Sequence, residues 1–559
     1  MPEGDKISEL EAAIRSAIDQ ELWHHVDALY GELNQLTERD CASIRSHALA
    51  VQNAGDAARS ATMLRKAIRL SPDDADARLQ LGSVYLSQKR HEEAEQIFRE
   101  TLKIDPDNVA GIRQIVQCLQ HTPETRTEAE TLLRHAIELD PDNAAIWIQL
   151  ASIYANDYER YEEAEEAFIR GLELAPESPS AHHNYGQIKR AHGDLEGAQK
   201  LLLRAIELQH PEDTNYAFSL ALCYLFMEDL DPAMKWLRKA VELDPGNNAA
   251  QVYVAFVLFL QGKPQEGWEQ YETRLKLSEF KGLNYGRPRW DGSELDDQTI
   301  LLLREQGLGD NIQFVRYAKQ VADKGGKVVV FCWEPLETLF RSVDGVSIVT
   351  RGVPEPRNFH RFCPLMSLPY VLGSNDDADD DQPDPDGRPY MTAPEEEVGK
   401  WRQRIEKYPG FRVGLVWRGN PEHVNDRFRS SSMAEMSQLL SIPGISFFSL
   451  MKERPDSESE LPEGLIELGQ DFDDFTDTAA AMTVLDLVIT VDTSICHLAG
   501  ALGRPVWTML ARGPDFRWGL RGDTTPWYDS MKLYRQEKLG VWDNVYERMK
   551  SDLQEASKV

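Results

Sequence analysis

The chain has 559 residues, of which 42% are hydrophobic and 9% are aromatic, and it carries a formal net charge of −32 at pH 7. This length exceeds what one hydrophobic core normally holds, so we expect a globular protein with at least two folding units. The strongly negative charge argues against nucleic acid or an anionic membrane surface as the main partner.

The cysteines and the apolar stretches bear on the compartment of the protein. Six cysteines, at positions 41, 118, 223, 332, 363 and 496, show neither Cys-x-x-Cys pairing nor zinc-site spacing and are typical of reduced thiols. The N-terminus has no apolar signal core, and the longest apolar stretch, residues 253–260, is too short to span a bilayer. We therefore expect a cytoplasmic location and no membrane span.

Prolines recur through the first half of the chain at a nearly constant interval. They stand at positions 72, 106, 141, 176, 211 and 245, so the spacing is 34 or 35 residues. A period of about 34 residues with helix–turn–helix patterning is the signature of tetratricopeptide repeats. Within one unit, Gly82, Ala94 and Phe98 fall where two packed helices need small and large side chains. We predict N-terminal helices over residues 1–36 and an α-solenoid of these repeats over residues 37–280, with a concave groove.

The repeats admit two interpretations. In one they bind a peptide or protein in their groove, and in the other they serve only dimerisation or solubility. The seventh unit, residues 248–277, lacks a closing proline, and we expect Trp268 and Tyr271 to dock it onto the next domain.

Three patterns raise the question of a metal site. The pairs His24-His25 and His182-His183 have no acidic or thiol ligand at helical spacing, so we interpret them as ordinary helix residues. The acidic run at residues 376–386 lacks the glycine and glutamate offsets of a calcium loop and is interrupted by prolines. We interpret the run as a solvated linker and predict no metal site.

A predicted strand at residues 299–303 leads into a glycine-containing turn and then a helix. The turn contains Glu305, Gly307, Gly309 and Asp310, and its two glycines are free to adopt positive φ. It is neither a P-loop nor a complete dinucleotide fingerprint, because no Gly-Lys-Ser/Thr follows and the third glycine is missing. Asp310 is therefore either a helix cap or a carboxylate directed at a ligand above the sheet edge.

A polar, basic stretch follows the predicted buried strand at residues 411–417. It contains Asn420, Arg427 and Arg429. In an acidic protein, two arginines at this spacing beside a turn are expected to contact an anion. The alternative is a pair of surface arginines that bridge to Asp426 or Glu435.

A second strand–helix junction is predicted at residues 485–505. The apolar run ends at Asp492, and Thr493 and Ser494 cap a helix that contains His497. A helix N-terminus at the carboxyl end of a strand offers free backbone N–H groups and a positive dipole end, which suit a diphosphate. An ordinary strand–helix unit with a good cap is the alternative.

These segments together resemble glycosyltransferases of the heptosyltransferase type, glycosyltransferase family 9, and in particular bacterial tetratricopeptide-repeat proteins that carry such a domain. The resemblance covers about residues 283–555. Its phrases are Pro-Arg-Trp-Asp-Gly at 288–292, Leu-Arg-Glu-Gln-Gly-Leu-Gly-Asp at 303–310, Cys-Pro-Leu-Met-Ser-Leu-Pro at 363–369, Val-Gly-Leu-Val-Trp at 413–417 and Pro-Trp-Tyr at 526–528. It implies a GT-B fold of two Rossmann-like halves, residues 281–390 on the acceptor side and 391–559 on the nucleotide-sugar side.

The resemblance also implies the roles of the candidate residues. Asp310 would be the catalytic base, with Glu305 as second choice. The donor diphosphate would be bound by the turn glycines, the basic loop and the capped helix, a set that comprises Gly307, Gly309, Asn420, Arg427, Arg429, Asp492, Thr493, Ser494 and His497. Helix N-termini and arginines supply positive potential, so neither a metal nor a cofactor is required. The loop at residues 511–518 fits the family pattern least well.

We therefore predict an inverting, metal-independent hexosyl- or heptosyltransferase that moves a sugar from a nucleotide-sugar to a protein held in the repeat groove. One alternative is a transferase for a surface polysaccharide or lipid-linked glycan, with repeats that serve assembly or homo-oligomerisation. Another is a repeat scaffold without turnover, which the presence of both Asp310 and the Thr493 cap disfavours. The sequence names neither the sugar nor the nucleotide base.

Overall fold

The computed structural model describes residues 3–36, 40–119, 123–157, 160–209, 213–277, 286–373, 387–423, 425–513 and 515–558. The acidic run predicted to be a linker, residues 376–386, lies outside these residues. The chain forms two compact units, Met1–Lys189 with Lys200–Gln209, and Arg190–Gln199 with His210–Val559. The division therefore falls inside the predicted repeat array and not at its expected end near residue 280.

The described residues up to position 277 form helices that follow one another in antiparallel pairs. They are α1 (Glu3–Asp19), α2 (Trp23–Leu36), α3 (Cys41–Asn53), α4 (Ala57–Leu70), α5 (Ala75–Ser87), α6 (His91–Ile104), α7 (Val109–Leu119), α8 (Pro123–Leu139), α9 (Ala144–Tyr154), α10 (Tyr161–Leu174), α11 (Pro179–Ala191), α12 (Leu195–Leu208), α13 (Thr214–Phe226), α14 (Leu230–Leu243), α15 (Asn248–Leu260) and α16 (Pro264–Tyr271). A 3-10 helix, Glu272–Lys276, follows directly. This α-solenoid confirms the predicted helix–turn–helix repeats.

Small residues allow the paired helices to approach closely. A β-carbon at Gly82 of α5 would lie only 2.3 Å from Cε1 of Phe98 on α6, so the ring of Phe98 fills the space that glycine leaves. Ala94, one turn away, is completely buried. The N-terminus of α5 is capped by Asp74, whose carboxylate accepts a hydrogen bond of 2.9 Å from the backbone N–H of Ala77.

The second unit contains two parallel sheets. The first sheet has strand order β3-β2-β1-β4 and consists of β1 (Thr299–Leu303), β2 (Lys327–Phe331), β3 (Val346–Thr350) and β4 (Arg361–Pro364). The helices α17 (Leu308–Phe314) and α18 (Ala318–Asp323) connect β1 to β2, α19 (Glu337–Phe340) connects β2 to β3, and α20 (Leu368–Gly373) follows β4.

The second sheet is larger and has strand order β10-β9-β8-β5-β6-β7. Its strands are β5 (Phe411–Val416), β6 (Ile445–Ser449), β7 (Leu465–Glu467), β8 (Leu487–Val491), β9 (Val506–Leu510) and β10 (Met531–Arg535). The helices of this part are α21 (Glu395–Ile405), α22 (Asp426–Arg429), α23 (Met433–Met436), α24 (Phe475–Val484), α25 (Ser494–Ala501) and α26 (Asp543–Ala556). Every residue of β8 is buried, as expected of a central parallel strand covered on both faces.

A single hydrophobic core joins the end of the repeats to both sheets within the second unit. It contains Trp268 and Tyr271 of α16 together with residues of β1, β5 and β8. As the sequence predicts, Trp268 packs edge-on against Phe314 of α17, with ring centroids 5.7 Å apart. The last repeat is therefore part of the same folding unit as the sheets. Among the described residues, no helix combines the length and apolar character needed to cross a bilayer.

Candidate functional site

The turn after β1 uses its glycines differently from the prediction. The residue with positive φ is Gln306, at +47°, whereas Gly307 has a φ of −80° and caps α17. Gly309 is required for a close approach, because a β-carbon there would lie 2.9 Å from His497 Cδ2 and 3.3 Å from Ser494 Cα. The turn of the first sheet therefore touches the start of α25 in the second sheet.

Asp310 acts as a helix cap and also faces the opposite half. Its Oδ2 accepts a hydrogen bond of 2.9 Å from the backbone N–H of Gly307, and its Oδ1 accepts one from Arg517. Burial, together with the negative charge of Asp515, outweighs the attraction of Arg517 and raises the pKa of Asp310 above its ordinary value. Both interpretations of this residue, cap and site carboxylate, therefore agree with the geometry.

The start of α25 has the predicted cap. Thr493 is the N-cap residue, and its hydroxyl accepts a hydrogen bond of 3.3 Å from the backbone N–H of Ile495. Ser494 occupies the first helical position and borders Gly309. Burial raises the pKa of Asp492, which directly follows β8, to about 6, with a further contribution from Asp515.

His497 lies in the first turns of α25 and is buried. Its Nδ1 lies 3.0 Å from the hydroxyl oxygen of Tyr528, and its ring stacks on Trp518 with centroids 5.3 Å apart. Burial, Arg517 and Arg316 lower the pKa of His497 well below its ordinary value. The imidazole is therefore neutral at pH 7 and adds no positive charge for an anion.

The two arginine candidates of the basic loop have different surroundings in the structure. The Nη1 of Arg429 donates a hydrogen bond of 3.0 Å to the backbone carbonyl of Asp492, and its Nε donates one of 3.0 Å to Asp426. Arg427 is exposed, and its guanidinium lies over the ring of Phe428, 4.7 Å from the centroid. Asn420 is exposed, and its backbone carbonyl is 3.5 Å from Nη2 of Arg429. Arg429 thus lies at the end of β8.

Glu305 is occupied by a buried ion pair. Its two carboxylate oxygens accept hydrogen bonds of 2.9 Å from Nη2 and Nε of Arg274, which belongs to the 3-10 helix at the end of the repeats. Glu305 Oε1 also accepts a hydrogen bond of 2.8 Å from the backbone N–H of Met366. Glu305 is 4% exposed, and Arg274 is fully buried. This arrangement favours a structural role for Glu305 over its second-choice assignment as a base.

Arg517 joins the site although no sequence pattern singles it out. It lies in the 3-10 helix Phe516–Trp518, inside the loop that fits the resemblance least well. Its guanidinium binds Asp310, Gln313 and Asp515, and its side chain is 8% exposed. A single arginine in a loop after a core strand is a common feature of sequences. It gives no sign of a contact that forms only when distant parts of the chain fold together.

One group of potential metal ligands occurs among the described residues. Ligand atoms of Asp492, Cys496 and His497 lie within 4.8 Å of one another. The Cys496 thiol donates a hydrogen bond of 2.9 Å to the carbonyl of Thr493, and burial raises its pKa well above the ordinary value. The thiol is therefore protonated at neutral pH when no metal ion is bound.

The comparisons with known proteins define the class of the first part of the chain. Models of the tetratricopeptide repeat match residues 46–109, 132–166 and 185–248. The chain therefore contains tetratricopeptide repeats, as the proline spacing predicts.

Individual relatives resemble about half of the chain. It is 27% identical over 330 residues to Protein FlbA of Caulobacter vibrioides, and the match covers 54% of this chain and 54% of that protein. The chain thus spans about half the length of this curated relative.

Solved structures of low sequence identity resemble part of the chain. The APC/C hetero-tetramer Cut9-Hcn1 matches with a TM-score of 0.40 and 14% identity, covering 49% of this chain and 54% of that chain. Yeast Tom70 matches with a TM-score of 0.35 and 21% identity over 46% and 55%. PilW, a widely conserved type IV pilus biogenesis factor, matches with a TM-score of 0.34 and 16% identity over 37% and 94%.

Proposed function

We propose that the two-sheet part of the chain is an inverting glycosyltransferase of the GT-B type, which transfers a sugar from a nucleotide-sugar to a protein bound by the repeats. One observation carries the proposal. The turn that bears Asp310 and the capped N-terminus of α25 come from the carboxyl ends of strands in two different parallel sheets, and they meet at Gly309 and Ser494. Ligands of parallel α/β sheets bind at such strand ends.

Backbone N–H groups and two arginines are the diphosphate-binding groups at this junction, and the carboxylates paired with these arginines are Asp426 for Arg429 and Asp310 and Asp515 for Arg517. The N-terminus of α25 presents backbone N–H groups and a positive dipole end, and Arg429 and Arg517 lie beside it. His497 is neutral, so the formal charge comes from the arginines. This donor set supports leaving-group stabilisation without a metal ion.

Asp310 is the base in this proposal. Its carboxylate accepts the proton of the acceptor hydroxyl while the hydroxyl oxygen forms a bond to the anomeric carbon. The bond from that carbon to the diphosphate oxygen breaks on the opposite face, so the configuration inverts and the nucleoside diphosphate leaves. A carboxyl group whose pKa is raised by burial is better matched to proton transfer near neutral pH than an ordinary aspartate is.

The repeats of the first unit offer a groove suited to a polypeptide acceptor. A cavity of about 430 Å³ is lined by Leu86, His91, Gln117, Ile148, Gln149, Ser152 and Asn184. Side-chain amides both donate and accept hydrogen bonds, as the peptide groups of an extended chain do. The amide-rich lining favours a protein acceptor over an anionic glycan.

The donor site is tested by nucleotide binding in the absence of metal. With a chelator present, calorimetry against uridine, guanosine, adenosine, cytidine and thymidine diphosphates should show that the wild type binds at least one of them. Arg429→Ala should weaken that binding about 10–100-fold, since a charge-assisted contact contributes about 1.5–3 kcal/mol. Arg427→Ala removes the same charge from an exposed position and should change the affinity less than about threefold. A strict requirement for a divalent cation, or equal effects of the two variants, would contradict the site.

The acceptor groove is tested by point substitutions. Truncation at residue 245 is unsuitable, because it removes Phe226 and Glu228, which contact Phe428 and the backbone N–H of Gly513 inside the second unit. The double variant Gln117→Ala/Asn184→Ala should reduce transfer to the native protein acceptor about tenfold, since each lost hydrogen bond costs about 0.5–1.5 kcal/mol.

The effect of these groove substitutions should be on KM, with nucleotide affinity unchanged. Gln96→Ala, at an exposed position of α6, is the matched control. Unchanged KM in the double variant, together with full transfer to a glycan acceptor, would favour a role of the repeats in assembly.

A further inference from the structure

We propose that Arg517 is a donor-binding residue that exchanges partners during the reaction, pairing with Asp310 when the donor is absent and with the donor diphosphate when it is present. This inference rests on the proposed function and adds a residue and an order of events to it. Donor binding would release Asp310 from its ion pair, so the base becomes active only when the sugar is in place.

Aromatic contacts of the two residues that flank Arg517 in sequence fix the position of its backbone. The ring of Phe516 stacks on Phe259 with centroids 4.5 Å apart and also contacts Phe256 and Trp268 of the last repeat. On the other side, Trp518 stacks on His497 of α25. These anchors hold the backbone of Arg517 beside the N-terminus of α25 and leave its side chain to reach Asp310 on the opposite half.

The hydrogen bonds of the guanidinium leave capacity for another anion. Nε donates to Gln313 Oε1 at 2.6 Å, Nη1 donates to Asp515 Oδ1 at 2.7 Å, and Nη2 donates to Asp310. An arginine has five N–H donors in a planar fork, a geometry that matches phosphate oxygens. When the guanidinium gives up its contact with Asp310, its hydrogen bonds to Asp515 and Gln313 keep it oriented.

The charge balance makes the exchange favourable only in the presence of an anion. Asp310 and Asp515 together neutralise Arg517 and leave one negative charge in excess, so they outweigh burial and hold the pKa of Arg517 above its ordinary value. An entering diphosphate meets this excess negative charge unless the contact between Arg517 and Asp310 is given up. Arg517 lowers the pKa of Asp310 against the raising effects of burial and Asp515, so giving up this ion pair also makes Asp310 a stronger proton acceptor.

A simpler role for Arg517 would be a static clip that holds Asp310 against the second sheet. The two roles differ in how the residues depend on each other. A clip has no function once Asp310 has lost its charge. A donor-binding arginine contributes more once that competing charge is gone.

The test is a double-mutant cycle on the full-length chain, read out as the affinity for the nucleoside diphosphate that the wild type binds. Asp310→Asn should strengthen binding about three- to tenfold. Arg517→Gln should weaken binding about threefold in the wild-type background and at least about tenfold in the Asp310→Asn background. Arg517→Lys, which keeps the charge but not the fork, should restore part of the loss.

The matched control is Arg512→Gln. Arg512 lies in the same loop, is paired with Glu228, and donates to the carbonyl of Glu537. This variant should bind the diphosphate as the wild type does in both backgrounds. Thermal unfolding of each variant establishes that the affinities refer to folded protein. If Arg517→Gln does not fold, Arg517→Lys takes its place in the cycle.

The outcomes separate the inference from the function on which it rests. A loss for Arg517→Gln that is absent from the Asp310→Asn background overturns the exchange and supports the clip. A loss that is equal in both backgrounds also overturns the exchange and leaves Arg517 as a donor contact that does not depend on Asp310. If Arg429→Ala weakens binding in the same experiments, the donor site stands and only the role of Arg517 fails. If the wild type binds none of the nucleoside diphosphates, the proposed function fails and the exchange fails with it.

Discussion

Replacement of Asp310 by asparagine is expected to lower turnover about 10²–10⁴-fold, the usual contribution of a positioned general base. The amide keeps the hydrogen-bonding shape of the cap at Gly307 but cannot accept the proton of an acceptor hydroxyl. The measurement is single-turnover transfer of radiolabelled sugar at saturating donor, which separates chemistry from product release.

The control for Asp310→Asn is the same substitution at Asp323. That carboxylate is exposed at the end of α18 and pairs with Lys319, so its loss should leave turnover within about twofold. Turnover in Asp310→Asn within about threefold of the wild type would remove this carboxylate from the mechanism. Nucleotide affinity measured alongside shows whether any loss is in chemistry or in binding.

Replacement of Arg274 by methionine is expected to lower the free energy of unfolding by about 3–5 kcal/mol, because the buried carboxylate of Glu305 then loses its charged partner and keeps the hydrogen bond from the backbone N–H of Met366. Denaturant unfolding followed by tryptophan fluorescence measures the loss. The double variant Arg274→Met/Glu305→Met removes both charges and should recover most of the stability, as apolar replacements of buried ion pairs often do.

The surface provides a matched comparison for the Arg274 substitution. Arg402 is half-exposed and pairs with Glu395 and Glu406, so Arg402→Met should cost less than about 1 kcal/mol. If Arg274→Met is no more destabilising than Arg402→Met, the buried pair does not hold the last repeat on the first sheet. The same result would reopen the question of a catalytic role for Glu305.

Much of the architecture is predictable because it depends on local sequence patterns. The runs at residues 411–417 and 485–491 are mostly apolar, and they form β5 (Phe411–Val416) and β8 (Leu487–Val491). Thr493 caps the N-terminus of α25, because a hydroxyl just before a helical segment accepts a hydrogen bond from a free backbone N–H whatever the tertiary surroundings are. The repeat period is equally local, and the matched repeat models confirm it.

The site is less predictable because its contacts join residues far apart in sequence. Arg427 and Arg429 have the same chemistry and stand two residues apart, yet Arg429 donates to the backbone of Asp492 whereas the guanidinium of Arg427 lies over the ring of Phe428. That choice depends on the orientation of a single turn of helix, which no spacing rule fixes. Arg517 contacts Asp310 across 207 residues of sequence, and its loop has neither a glycine fingerprint nor a charge run to mark it.

The shared core of the last repeats and the sheets has a consequence for how such chains are assembled by recombination. Phe226 of α13 contacts Phe428, and Trp268 of α16 contacts Phe314, so these repeats and the two-sheet part fold as one block. An exchange of repeats keeps the second unit whole when the break falls before Arg190, and it then separates Lys200–Gln209 from the rest of the first unit. Repeats upstream of that position can differ in number and in the partner they bind. The last repeats are constrained because their side chains form one hydrophobic core with the two sheets.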